Sequence, residues 1–167
     1  MGEKLTSKDV ERIEQEIEYR KLTVRKEALE AVKEARAQGD LSENFEYYAA
    51  KQYKNQNESR IRYLEKTLRN SQVISDSSND DEVGINNTVC LWFEDDEEEE
   101  TYRLVTSIRG NSMKNYISID SPLGSAIRGH KAGETVHVKV NDSYGYDVTI
   151  RSIENTVDDG TDKIRSY

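Results

Sequence analysis

Apolar residues in the first seventy positions recur at the spacing of a packed helix. Positions one heptad apart are apolar at Val10, Ile17, Val24 and Ala31, and Ile13, Ala28 and Ala35 lie near the second seam position. Neither Pro nor Gly interrupts the chain from Ser7 to about Gln38. Thr6, three residues before Asp9, has the spacing of a capping box. The pattern predicts one long helix over residues 7–38.

A second helical pattern follows Gly39 and extends to about Gln72. Its seam alternates by four and three residues, at Asn57, Ile61, Leu64 and Leu68. Two helices joined by so few residues are expected to pack as antiparallel neighbours. At 1.5 Å per residue, each arm of this hairpin would be roughly 45 Å long.

After residue 75 the pattern changes to short strands. Residues 76–82 are polar and rich in turn formers, which is typical of a linker. Strand patterns follow at 89–93, 101–105, 116–119, 135–140 and 146–150, and residues 121–129 favour a turn with one short helix. The sequence therefore predicts a two-domain α+β protein. A long antiparallel coiled-coil hairpin would span residues 1–75, a linker 76–82, and a mostly antiparallel β domain with a short helix 83–167.

Two charged or polar segments of the second domain are expected to lack regular structure. The acid run Glu94–Glu100 separates two strands, and its self-repulsion favours a solvated turn. Residues 155–167 have few apolar side chains and are expected to fray.

Charge is divided unevenly between the two halves. Residues 1–75 hold 15 Lys and Arg against 14 Asp and Glu, a net charge of +1. Residues 76–167 hold 9 against 19, a net charge of −10. Binding of DNA phosphates depends on cationic side chains. The acidic second half is therefore not expected to bind free duplex DNA.

Composition removes several other classes of protein. The longest apolar run is Val89–Phe93, far short of the roughly 20 residues that a membrane span requires. One cysteine, Cys90, excludes an internal disulfide and is expected in the core, while His130 and His137 are expected at the surface. We expect a soluble, cytoplasmic monomer without Ser–His or Cys–His catalysis.

The predicted hairpin tip carries two carboxylates, Asp40 and Glu43, three residues apart. One interpretation is a capping box, with Asp40 as N-cap of the second helix. The other is a shared cation, because side chains three apart on a helix are neighbours. Mg²⁺ is often held by one or two carboxylates plus phosphate oxygens and water. An isolated tip would bind it weakly, so a second macromolecule would have to complete the site.

At this point the sequence resembles a known family. Residues 39–51, which read Gly-Asp-Leu-Ser-Glu-Asn-Phe-Glu-Tyr-Tyr-Ala-Ala-Lys, are similar to the tip motif of the bacterial Gre transcript-cleavage factors. Residues 117–127, followed by Gly129 and Gly133-Glu134, resemble the FKBP-like C-terminal domain of that family. Phe45 and Tyr48 depart from the usual Ala and His of the tip.

The resemblance implies a mechanism and a set of site residues. The C-terminal domain would dock on RNA polymerase through the loop containing Asp120, Ser121 and Pro122. The hairpin would enter the secondary channel and bring Asp40 and Glu43 to the active centre of a backtracked complex that holds the nascent RNA 3′ end. There they would help to hold a second Mg²⁺ and orient the attacking water. The protein would then stimulate the polymerase's nuclease activity without being an enzyme itself.

Two alternatives remain open on the sequence. A Gre-like inhibitor would occupy the same channel without promoting cleavage, although the intact Asp-Leu-Ser-Glu tip argues against it. An FKBP-type prolyl isomerase or chaperone is the other, but no aromatic-lined proline pocket is evident in the second half.

Overall fold

The computed structural model describes residues 2–39 and 44–166 and divides the chain into two compact units. One unit consists of Val10–Ser71 with the first two residues. The other combines Gln72–Tyr167 with the early segment Glu3–Asp9, so a piece from the start of the chain is built into the β domain. The predicted two-domain α+β class is confirmed.

The first unit is the predicted helical hairpin. Its first arm runs through α1 (Ser7–Tyr19), a π-helical segment (Arg20–Val24) and α2 (Arg25–Ala37), and its second arm is α3 (Phe45–Arg69). Contacts across the seam pair Lys21 with Glu65, Arg25 with Glu58, and Arg36 with Tyr47. The partner number falls as the first number rises, so the arms are antiparallel.

The buried seam differs in detail from a regular heptad. Its buried side chains include Ile13, Val24, Ala28 and Ala35 on the first arm and Tyr47, Asn57, Ile61 and Leu64 on the second. The predicted seam positions Val10, Ile17 and Ala31 are only half-buried. The π-helical segment lies between Ile13 and Ala28 and breaks the seven-residue register, because it inserts wider turns into the helix.

A polar network crosses the seam beside the π-helical segment. The buried Asn57 side chain donates to the Arg20 carbonyl (3.2 Å) and accepts from the Arg20 guanidinium (3.0 Å). Glu16 accepts from Arg20 (2.8 Å) and Arg60 (2.9 Å). Burial alone would raise the pKa of Glu16, but these two cations outweigh it and hold the pKa below its usual value. A buried Asn paired in this way fixes the register of the two helices.

The second unit contains two short strands, β1 (Lys4–Leu5) and β2 (Gln72–Val73), and a five-stranded sheet. The strands of the sheet are β3 (Thr88–Phe93), β4 (Glu98–Val105), β5 (Tyr116–Ser118), β6 (Thr135–Lys139) and β7 (Gly145–Glu154). Their order across the sheet is β5-β4-β3-β7-β6. All neighbours are antiparallel except β4 and β5, which run parallel. The short helix α4 (Pro122–Ile127) packs against the sheet. The core contains Val89, Leu91, Leu104, Ile119, Ile127, Val136, Val138, Val148 and Ile150.

The early segment forms its own contacts in this unit. Lys4–Leu5 (β1) pairs in parallel with Gln72–Val73 (β2). The predicted capping box is present: Thr6 N–H donates to Asp9 Oδ2 (3.0 Å), and Asp9 N–H donates to Thr6 Oγ1 (3.2 Å).

The expectation that residues 155–167 fray is wrong for the part that the structure describes, residues 155–166. Arg109 is fully buried, and its guanidinium contacts Asp9 (2.7 Å) and Asp162 (3.0 Å). Asp162 also forms a bidentate pair with Arg103, at 2.9 Å for both oxygens. Further along, the Arg165 side chain pairs with Glu3 at 2.8 Å. Charge pairing therefore anchors a segment that has little apolar surface to bury.

Two smaller expectations also need correction. Only residues 94–97 of the acid run form a turn, because Glu98–Glu100 continue β4 opposite β3, where Glu99 pairs with Arg151 at 2.8 Å. Cys90 is half-buried rather than in the core, because strand alternation directs its neighbours Val89 and Leu91 into the core instead. Burial, and after it the nearby Glu99 carboxylate, raise the pKa of the Cys90 thiol.

Candidate functional site

The predicted catalytic and metal-binding pair, Asp40 and Glu43, lies outside the described residues. The residues on either side of it are described. Gly39 follows the first arm with a φ of +134°, a backbone conformation that favours glycine, and Asn44 precedes the second arm. We call Gly39, Asn44 and the side chains that contact them the base of the tip.

Asn44 joins the two arms at this base. Its side-chain oxygen accepts from the Tyr47 N–H (3.0 Å) and so caps α3, while its amide donates to the Ala35 carbonyl (2.7 Å). The second helix therefore begins at Phe45 with Asn44 as N-cap, and the prediction that Asp40 is its N-cap is wrong.

Neighbouring side chains extend this base. Arg36 lies over the ring of Tyr47, with its guanidinium carbon 5.5 Å from the ring centroid, and approaches the Tyr47 hydroxyl at 3.5 Å. This contact lowers the pKa of the Tyr47 hydroxyl. Tyr47 packs edge-on against Tyr48 at 5.5 Å, and Phe45 is 84% exposed. The first turn of α3 thus exposes a phenylalanine and a tyrosine, Phe45 and Tyr48.

Asn44 was not singled out by reasoning from the sequence, although a cap signal was present. An Asn three residues before Tyr47, at the start of a helical pattern, is a common N-cap arrangement. The acidic pair Asp40 and Glu43, which also has the spacing of a capping box, offered a competing N-cap a few residues earlier. The bond to Ala35 joins residues nine apart across the turn and has no periodic signature.

Replacing Asn44 by Ala should remove both bonds and loosen the first turn of α3. Loss of an N-cap costs about 0.5–2 kcal/mol, so amide exchange at Tyr47 should accelerate by about 2-fold to 30-fold. Asn44→Asp keeps the capping oxygen and loses the donor to Ala35, so it should protect Tyr47 better than Asn44→Ala does. Equal exchange in the parent and both variants, measured by NMR, would contradict this role.

The second predicted site, the loop of Asp120, Ser121 and Pro122, is fully described. Ser121 is the N-cap of α4: its hydroxyl accepts from the Gly124 N–H (3.0 Å) and donates to the Ser118 carbonyl (2.6 Å). Pro122 occupies the first turn and is exposed. At Gly124 a Cβ would lie 2.0 Å from the Ser118 carbonyl oxygen, so the loop requires glycine there.

Asp120 is held at the surface of this loop. Its carboxylate accepts from the Ser107 hydroxyl (2.9 Å) and lies 3.6 Å from the Lys4 ammonium, with about half of each side chain exposed. Ser107 also hydrogen-bonds the Ser118 hydroxyl at 2.6 Å. The arrangement presents a fixed carboxylate beside an exposed proline.

Among the described residues, the two histidines do not form a catalytic or metal-binding arrangement. His130 lies 3.0 Å from Glu134 and His137 lies 2.8 Å from Asp147, both at the surface as predicted. Within residues 2–39 and 44–166, no cluster of three or more His, Cys, Asp or Glu side chains is arranged to hold a metal ion. In the same residues, no helix is long and apolar enough to cross a membrane.

Comparison with known proteins identifies both units. Residues 3–73 match the family model for the N-terminal domain of transcription elongation factors, and residues 77–155 match that for the C-terminal domain of GreA/GreB. Transcription elongation factor GreA of Caldanaerobacter subterraneus subsp. tengcongensis is 44% identical over 137 residues, covering 81% of this chain and 87% of that protein. GreA of Streptococcus sanguinis is 39% identical over 154 residues, covering 92% and 96%.

Among solved structures, GreA factor homolog 1 of Thermus thermophilus aligns with a TM-score of 0.44 at 25% identity, covering 93% of this chain and 100% of that one. The two family models together span most of the sequence, in the order in which the hairpin and the β domain occur. The chain belongs to the GreA/GreB family of transcription elongation factors.

Proposed function

We propose that this chain binds RNA polymerase and stimulates the polymerase's own cleavage of backtracked RNA. The observation that carries the proposal is the acidic pair Asp40 and Glu43 in a tip whose base is joined across both arms by Asn44. Membership of a family of transcription elongation factors supports the same partner. In this proposal the chain is a cofactor of the polymerase and not itself an enzyme.

The hairpin suits delivery of side chains to a recessed site. The 25 residues of α3 alone correspond to about 37 Å of helix. Cross-arm ion pairs and the Asn57 network fix the register of the two arms, so the tip is carried on a stiff support. Such an arm would reach the active centre through the secondary channel while the β domain stays at its rim.

Asp40 and Glu43 would act as oxygen ligands at the active centre. Carboxylates are the donors that Mg²⁺ prefers, and two of them leave most of its coordination to polymerase groups, RNA phosphates and water. When bound there, a second metal ion supplies charge stabilisation to the attacking and leaving oxygens of the phosphodiester. The two carboxylates would also orient the attacking water toward the scissile phosphodiester of the backtracked RNA.

Affinity for the polymerase would come from the loop Asp120–Pro122. Ser107 and the N-cap of α4 hold this loop in one conformation, so little ordering entropy is lost on binding. Asp120 offers a carboxylate to a basic partner residue, and Pro122 offers an exposed apolar contact. The chain would act as a monomer in the bacterial cytoplasm.

The unmodified protein should release short RNA fragments from stalled, backtracked elongation complexes that contain 3′-labelled transcript. Adding the protein with Mg²⁺ should produce these fragments and restore elongation when nucleotides are supplied. Inhibited nucleotide addition without fragments would contradict the proposal and favour a Gre-like inhibitor. A proline-isomerisation assay on the full chain, in which we expect no activity, tests the other alternative.

A further inference from the structure

A small cavity lies at one end of the sheet, where β3 turns into β4 and the β6–β7 turn comes close. It has a volume of about 120 Å³. Three aromatic and three acidic residues line it: Phe93, Tyr144, Tyr146, Asp95, Asp96 and Asp147. The function proposed above gives none of these six residues a role.

The aromatic wall is a packed cluster. The ring of Phe93 lies 5.9 Å from that of Tyr146, and Tyr146 lies 6.0 Å from Tyr144. The ring of Tyr102 packs edge-on against that of Phe93, with the two centroids 6.1 Å apart. Tyr144 is 56% exposed, so it forms the outer edge of the cavity. The negative faces of such rings attract a cation placed within about 6 Å of them.

The turn that contains Asp95 and Asp96 is attached to β7 through Glu94. The Glu94 N–H donates to the Asp147 carbonyl (3.2 Å), and Thr149 donates to the Glu94 carboxylate (2.6 Å), which fixes the turn against β7. Asp147 contacts His137. Across residues 2–39 and 44–166, neither Asp95 nor Asp96 forms an ion pair. Two acidic residues without an ion pair in the described part of the chain therefore line the cavity.

We propose that this cavity binds a lysine or arginine side chain from a basic segment of a protein partner. The carboxylates attract the cation, and the rings contact it and its aliphatic stem. The net charge of −10 over residues 76–167 adds long-range attraction and disfavours a nucleic-acid occupant.

This contact is separate from the predicted polymerase loop. Asp120 follows the carboxyl end of β5, which pairs in parallel with the carboxyl end of β4 at Val105. The cavity lies at the opposite end of β4, where Glu98 pairs with Phe93. The inference therefore goes beyond the proposed function, and it can fail without affecting that function.

The test uses the full chain and a fluorescein-labelled hexalysine peptide, with binding followed by anisotropy at low and physiological salt. Asp95→Asn combined with Asp96→Asn should weaken binding by about 10-fold, because both cavity charges are lost. Tyr144→Leu should weaken it by about 2-fold to 5-fold, whereas Tyr144→Phe, which keeps the ring, should bind like the parent.

The matched control combines Asp80→Asn and Asp81→Asn, which remove the same charge from exposed residues outside the cavity. An equal loss of affinity in this control would overturn the proposal, because binding would then depend on net charge alone. Unchanged binding by the Asp95, Asp96 and Tyr144→Leu variants would overturn it as well. Binding of spermidine but not of the peptide would assign the cavity to small amines and contradict the proposal.

Discussion

Replacing Asp40 by Asn, or Glu43 by Gln, is expected to reduce the stimulated cleavage of backtracked RNA by more than about tenfold. Each change removes one negative charge and preserves the shape of the side chain. Loss of a residue that only supports a metal ligand costs about 10- to 100-fold in affinity or activity, so loss of a ligand should cost at least as much. The measurement is the rate of fragment release from stalled elongation complexes at several Mg²⁺ concentrations.

A control variant shows whether cleavage depends on Asp40 and Glu43 specifically or on the net charge of the hairpin. Glu46→Gln removes the same charge from an exposed position in the first turn of α3 and should keep cleavage near the parent level. Binding to the polymerase should persist in all three variants, since the loop Asp120–Pro122 is unchanged. Full cleavage by both Asp40→Asn and Glu43→Gln would reject the role proposed for the tip.

Replacing Arg109 by Met is expected to lower the free energy of unfolding of the β domain by about 3–5 kcal/mol. The Arg109 side chain is fully buried between Asp9 and Asp162, and it also donates to Asn86 at 2.7 Å. Its removal leaves buried carboxylates with a missing partner, which costs more than the lost attraction alone. The fluorescence of Trp92, the single tryptophan, reports denaturant unfolding of this domain.

Adding Asp9→Asn to Arg109→Met should recover part of the loss, because the amide needs no counter-charge and can still accept in the capping box. The control is Arg128→Met at an exposed position, which should change stability by less than about 0.5 kcal/mol. A loss below 1 kcal/mol for Arg109→Met would mean that the charge cluster contributes little to the fold.

Periodicity and turn residues were sufficient to predict most of the architecture. The apolar seam predicted the hairpin, and alternation predicted all five strands of the main sheet because each strand places one face on the core. The capping box of Thr6 and Asp9 was also correct, since both of its residues are close in sequence.

Features that depend on distant partners were not predictable in this way. Arg109 and Asp9 are 100 residues apart, and Arg103 and Asp162 are 59 apart, so no local pattern connects them. For the same reason, no local pattern indicated the anchoring contacts of Asp162 and Arg165 or the role of Asn57 beside Arg20. Next to the predicted site, the bond from Asn44 to Ala35 joins residues nine apart, and no periodic pattern in the sequence indicates it.

The buried contact between Asp9 and Arg109 has a practical consequence for dissecting the protein. A truncated β domain that begins at residue 76 or 83 would retain the buried Arg109 and lose Asp9, the carboxylate that pairs with it at 2.7 Å, along with strand β1. Such a fragment is expected to be less stable than the intact domain and more sensitive to proteolysis. Its inactivity in an assay would then reflect a damaged fold and would not show that the domain lacks the function tested. Dissection should instead shorten the hairpin arms by equal numbers of helical turns and leave residues 3–9 attached.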